Sequence, residues 1–138
     1  MKTFHKNRLL KLADFLDNLP RKKFFFGDVV NEFDEKNHCG SVCCAVGWCP
    51  TVFPRHWKWT GDTFDDYYVG LKESTTFWDE DAAEFFGIDI NEACGLFYPG
   101  STRPWARNTM LADEATPKQV AKSIRQFVKW KEKEFQHG

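Results

Sequence analysis

Residues 78–97 read WDEDAAEFFGIDINEACGLF, and this stretch sets the fold class. Asp79, Glu80 and Asp81 open it. Carboxylates in a first turn favour a helix because they face the positive end of its dipole. Ala82, Phe85 and Phe86 follow at the spacing of one apolar helix face, and Gly87 is the residue type that ends a helix. Asp89 and Glu92 stand three apart ahead of a second apolar run, INEACGLF, which is the spacing of a capping box. The segment therefore predicts two short helices joined by a tight turn.

The same logic extends toward both ends. Pro99 and Gly100 close the pair, and residues 99–115 read as a long loop carrying Arg103, Trp105 and Arg107. Thr116-Pro117-Lys118-Gln119 is a helix start, with threonine as cap, proline at the first helical position and glutamine completing the box. Val120, Ala121, Ile124, Phe127 and Val128 then share one face, and lysines dominate the other. Near the N-terminus, Leu9, Leu12, Ala13, Leu16 and Leu19 recur at helical spacing until Pro20 stops them.

The middle of the chain is less regular. Phe24, Phe25 and Phe26 before Gly27 suggest a short extended segment, and Asp28 caps a brief element through Phe33 that reads equally as strand or helix. Residues 34–40 form a loop. Ser41 is the N-cap of an all-round apolar, buried helix, VCCAVGW, ended by Pro50. Residues 51–78 read as irregular, broken by Pro54, Gly61 and Gly70 and decorated by Trp57, Trp59, Tyr67 and Tyr68, with a short strand near Asp66–Leu71. The expected fold is mainly α, a compact single domain over residues 1–138 with about five short helices. A small β element comes from 24–26 and 51–71, and an α+β arrangement is the alternative.

With 138 residues the chain is long enough to bury one core without a metal or disulfide framework. Its 19 basic and 20 acidic residues leave a net charge of −1, so no global field draws in nucleic acid. The basic residues concentrate in 2–23 and in the last helix, the acidic ones in 62–84. No apolar run is long enough to cross a membrane, and the polar N-terminus lacks a signal-peptide core. The expected location is the cytoplasm, where thiols stay reduced. The odd cysteine count of five agrees with that.

Four blocks in order carry a resemblance. They are Leu12-Ala13-Asp14-Phe15-Leu16 before Leu19-Pro20, the Cys39-Gly40-Ser41-x-x-Cys44-Ala45-x-Gly47-Trp48 segment, Phe85-Phe86-Gly87-Ile88 through Leu96-Phe97, and Thr116-Pro117-x-x-Val120-Ala121-x-x-Ile124. Together they resemble a family of small bacteriophage and prophage proteins with a central Cys-Gly-Thr-x-x-Cys-Ala-x-Gly pattern. Cys43 and Cys49 stand outside that pattern. The resemblance implies a phage origin and a helical fold. It also implies an accessory role in the host cytoplasm, one that binds and blocks host machinery such as a CRISPR defence.

Several residue groups compete for a functional role. Cys39, Cys44, Cys49 and His38 have ligand chemistry for zinc, yet no Cys-x-x-Cys occurs and all four lie in one short segment, so core packing is the preferred reading and no metal or other cofactor is expected. Cys39 or Cys44 near a helix start is the alternative, a thiol enzyme or redox protein with His38 or His56 as base. That alternative lacks a placed orienting group. The acidic run at 62–66 and 79–84 lacks a calcium-loop signature. Trp57, Trp59, Arg103, Trp105 and Arg107 combine the residue types that anchor binding surfaces, against the reading that the tryptophans pin loops to the core. The expectation is a non-enzymatic binding protein. Its partner is a host protein complex or a nucleotide-type small ligand such as a defence signal; direct nucleic-acid or membrane binding is not expected.

Overall fold

The computed structural model describes residues 1–20, 45–60, 68–76, 78–97 and 116–137. Among these, the order is α1 (Thr3–Asp17), a 3₁₀ turn (Val46–Trp48), α2 (Cys49–Val52), β1 (Trp57–Thr60), β2 (Tyr68–Leu71), α3 (Trp78–Phe86), α4 (Ile90–Phe97) and α5 (Pro117–His137). The fold is mainly α with a small two-stranded sheet, as expected.

The core is built first from α1 and α5, the most extensively packed pair of elements. Leu9, Leu12, Ala13 and Leu16 are buried along one side of α1, at the i, i+3, i+4, i+7 positions that share a helix face. Val120, Ala121, Ile124, Phe127 and Val128 are buried on α5. Lys6 pairs with Glu132 near one end, and Arg125 bridges Asp14 at 2.8 Å and Asp17 at 2.5 Å near the other. Rising numbers on α1 thus meet falling numbers on α5, so the two helices run antiparallel. α1 begins at Thr3, well before Leu9, where the apolar spacing starts.

α3 and α4 form the expected pair. Gly87 takes a positive φ of 67°, Ile88 N–H donates to the Ala83 carbonyl at 2.9 Å and Gly87 N–H to the Glu84 carbonyl at 3.3 Å. This satisfies carbonyls that the helix leaves open. A Cβ on Gly87 would run into the His5 ring, so packing and backbone conformation both require glycine here. The capping box forms in full: Glu92 N–H donates to Asp89 Oδ1 at 2.7 Å and Asp89 N–H to Glu92 Oε1 at 3.0 Å. At α5, Gln119 N–H donates to Thr116 Oγ1 at 3.2 Å and Thr116 N–H to Gln119 Oε1 at 2.8 Å.

One reading of the middle region needs correction, and the β element expected from 51–71 is present. Pro50 does not end a helix; it lies in the first turn of α2, where its missing N–H costs nothing. Part of 51–78 is an ordered antiparallel hairpin, with Trp57 opposite Leu71, Lys58 opposite Gly70, Trp59 opposite Val69 and Thr60 opposite Tyr68. The alternation puts Trp57, Trp59, Val69 and Leu71 on one face, which packs into the core. The expected elements at 24–33 and the start of the Ser41 helix lie outside the described residues.

Candidate functional site

The open end of the hairpin gathers charge. Lys72 N–H donates to the His56 carbonyl at 2.9 Å, adding one more pair beyond the Trp57–Leu71 rung. That bond sets Arg55 and His56, on the way into β1, beside Lys72, on the way out of β2. The third participant comes from α1. Arg8 Nη1 donates to the Phe85 carbonyl at 2.8 Å, and its guanidinium carbon sits 3.9 Å from the Phe85 ring centre and 5.0 Å from that of Phe4. The Phe85 carbonyl lies in the last turn of α3, where carbonyls lack helical partners and a cation is favoured. Capping α3 and stacking on two rings thus hold Arg8 in place.

Arg8, Arg55, His56, Leu71, Lys72, Glu84 and Phe85 line an open cleft of about 340 Å³. Three permanent cations face one carboxylate, and among the described residues none of Arg8, Arg55 and Lys72 is in an ion pair. The potential is felt by His56. Desolvation lowers its pKa first, and the charges of Arg8, Arg55 and Lys72 lower it further. Its ring lies 5.2 Å from that of Phe85. Arg8 itself is held below its ordinary value by desolvation.

Two further cavities lie beside it. Arg55 and His56 also line one of about 290 Å³ with Lys11, Val52, Phe53 and Pro54. Leu71, Lys72 and Glu84 also line another of about 290 Å³ with Glu73, Ser74, Thr75 and Thr76. The second wall is shaped by Asp81, which is only 1% exposed. Its Oδ2 accepts from Leu71 N–H at 2.9 Å, and its Oδ1 accepts the hydroxyls of Ser74 and Thr76, each at 2.6 Å. Asp81 is therefore a buried carboxylate that ties the β2–α3 connection to α3, a more specific role than a first-turn charge. A Cβ on Gly70 would sit 2.8 Å from Asp81 Oδ2, so the strand is glycine where the carboxylate passes.

Of the residues expected to bind, the two that are described, Trp57 and Trp59, do not line this cleft. Trp57 is 1% exposed and meets Phe85 edge-on at 5.6 Å, so its ring fills the core rather than presenting an anchor. Its indole N–H is buried without an acceptor. Trp59 is partly buried against the core. Arg103, Trp105 and Arg107 lie outside the described residues, as do His38, Cys39 and Cys44. Cys49 is fully buried, with its thiol 3.8 Å from the Ala45 carbonyl. Among the described residues no group of three or more metal-ligating side chains forms. The Cys94 thiol is pushed up by desolvation and by Asp79, away from the thiolate form a nucleophile needs.

Arg8, Arg55, Lys72 and Glu84 were not distinguishable from ordinary surface charge in the sequence, because they come from four separate segments. The one local hint is the Pro54-Arg55-His56 run directly before an apolar-alternating strand. No helix among the described residues is long and apolar enough to cross a membrane. The chain matches no protein-family model, and comparison with curated proteins and with solved structures finds no significant match.

Proposed function

We propose that this chain is a non-enzymatic binding protein of phage type that captures an anionic partner at the Arg8–Arg55–Lys72 cleft and thereby antagonises a host defence system. The observation that carries the binding reading is the convergence of three unpaired cations on one open cleft. Three cations held together with one carboxylate among them lower stability, so an arrangement of this kind is favoured when a ligand supplies further negative charge. The phage and defence parts of the reading rest on the four sequence blocks. Sequestering a signalling ligand and blocking a defence complex through its acidic surface are the two modes it allows, and the small cleft favours the first.

The test is a plaque assay in bacteria carrying CRISPR and nucleotide-signalling defences, with the chain expressed in the host cytoplasm. Wild-type protein is expected to raise phage plating at least tenfold against one of them. The Arg55→Glu/Lys72→Glu variant, with its melting temperature unchanged, is expected to return plating to the level of an empty vector. Equal plating from both proteins would remove the cleft from the mechanism. No rise with wild type against any of the defences would remove the antagonist role.

A further inference from the structure

The cleft and the pocket beside it differ in hydrogen-bonding character. The cleft brings together Arg8, Arg55 and Lys72, which are donors without acceptor capacity. The neighbouring pocket adds Glu73, Ser74 and Thr76, and Lys72 and Glu84 stand on the wall the two share. Both hydroxyls already donate to Asp81 Oδ1, at 2.6 Å each, and Ser74 Oγ accepts from Thr76 N–H at 3.0 Å, so what the pair can still offer is the acceptor capacity that remains. A ligand that matches both has an anion among the cations and hydroxyl or amine donors toward Glu84 and Glu73.

Resting on the binding reading above, we infer that the cleft takes a small phosphomonoester of a sugar, the chemistry shared by sugar phosphates and nucleoside monophosphates. The phosphate sits among Arg8, Arg55 and Lys72, and the sugar hydroxyls point to Glu84 and Glu73. Two guanidinium forks suit a phosphate's several oxygens, and Lys72 adds a third cation beside them. Arg8 needs little ordering on binding, since the Phe85 carbonyl and ring already fix it. A volume of about 340 Å³ lies at the small end of the range for ligand pockets. An extended polyanion fits poorly: a nucleic-acid strand or an acidic peptide following the groove past Lys72 would meet two carboxylates.

The experiment is calorimetric titration of the full chain with inorganic phosphate, ribose 5-phosphate, adenosine 5′-monophosphate, adenosine and hexaglutamate, repeated on Arg55→Ala/Lys72→Ala and Glu84→Gln. Ribose 5-phosphate is expected to bind at least tenfold tighter than inorganic phosphate. The double variant is expected to lose at least tenfold for both. Glu84→Gln is expected to weaken ribose 5-phosphate while strengthening inorganic phosphate, a reversal that general loss of structure does not produce. A further gain with adenosine 5′-monophosphate identifies the nucleotide as the source, and equal affinity identifies the sugar phosphate. Tightest binding by hexaglutamate, or affinities indifferent to both variants, would overturn the inference. Should phosphomonoesters fail to bind while charge reversal still abolishes the plaque effect, the ligand class is wrong and the binding reading stands.

Discussion

Asp81 shows how much one buried carboxylate can organise. Its three hydrogen bonds hold Leu71, Ser74 and Thr76, and with them one wall of the cleft. Asp81→Asn keeps the shape but replaces one accepting oxygen by an NH2 group, which cannot accept from the backbone or from a hydroxyl. A loss of about 2–4 kcal/mol is expected, from bonds to a charged acceptor that are each worth about 1.5–3 kcal/mol. A urea denaturation curve checks it, and a loss below about 0.5 kcal/mol would show the network to be dispensable. Trp57 carries a different expectation. Because its indole N–H is buried without an acceptor, Trp57→Phe removes no hydrogen bond and is expected to cost under about 1.5 kcal/mol. Trp57→Ala leaves a cavity and is expected to cost about 3–5 kcal/mol. Thermal melts separate this core role from a binding role, in which both variants would lose ligand without losing stability.

Among the elements, the α3–α4 pair was the most legible in the sequence and still held a surprise. Acidic first turn, glycine stop and capping box all depend on residues within a few positions of each other, so spacing alone reveals them. The second role of Glu92 does not follow from spacing: its Oε2 also pairs with Lys131 of α5 at 2.6 Å, with the carboxylate side chain only 9% exposed. Glu92→Ala removes half of the box and this partly buried pair together, and is expected to cost about 2 kcal/mol. Arg125→Ala breaks two ion pairs between α5 and α1, yet these lie at the surface, where such pairs are worth about 0–1 kcal/mol. Comparing the two midpoints in urea tests the ranking, and a larger loss for Arg125→Ala would reverse it. The hairpin was less legible, because Gly70 and the prolines look like loop residues until Asp81 and α2 are in place beside them.

For the whole molecule, the packed core and the basic cleft both bear on pH. The His56 pKa is lowered by desolvation and then by Arg8, Arg55 and Lys72. His5 is lowered by desolvation, then by Arg8, Lys2 and the N-terminal amine. Both lie below the ordinary 6.5 when folded. As pH falls through 6.5 the unfolded chain takes up protons before the folded one, so this part of the stability is complete above 6.5 and is lost toward the lowered folded values. The urea midpoint is therefore expected to fall between pH 7.5 and pH 5.5, and the His5→Gln/His56→Gln variant is expected to show a smaller fall. A bound phosphate would offset the cations around His56 and raise its pKa, an effect visible by NMR in the pH at which its ring protons shift.

The helices were written into local sequence: caps, stops and 3.6-residue apolar spacing act over a few residues, and α1, α3, α4 and α5 each carry some of them. The small sheet was half legible, since the Tyr- and Val-bearing stretch Asp66–Leu71 reads as a strand but its partner hid between Pro54 and Gly61. The cleft was not legible at all. Arg8, Arg55, Lys72 and Glu84 are individually ordinary surface charges. They become a site only when α1 caps α3 through Arg8, when the hairpin's last hydrogen bond pairs His56 with Lys72, and when the buried Asp81 holds the connection into α3. The burial of Trp57 was equally a tertiary outcome, because a tryptophan beside turn residues is as easily an anchor as a core ring. Which of these it becomes depends on the face that the hairpin turns toward Phe85.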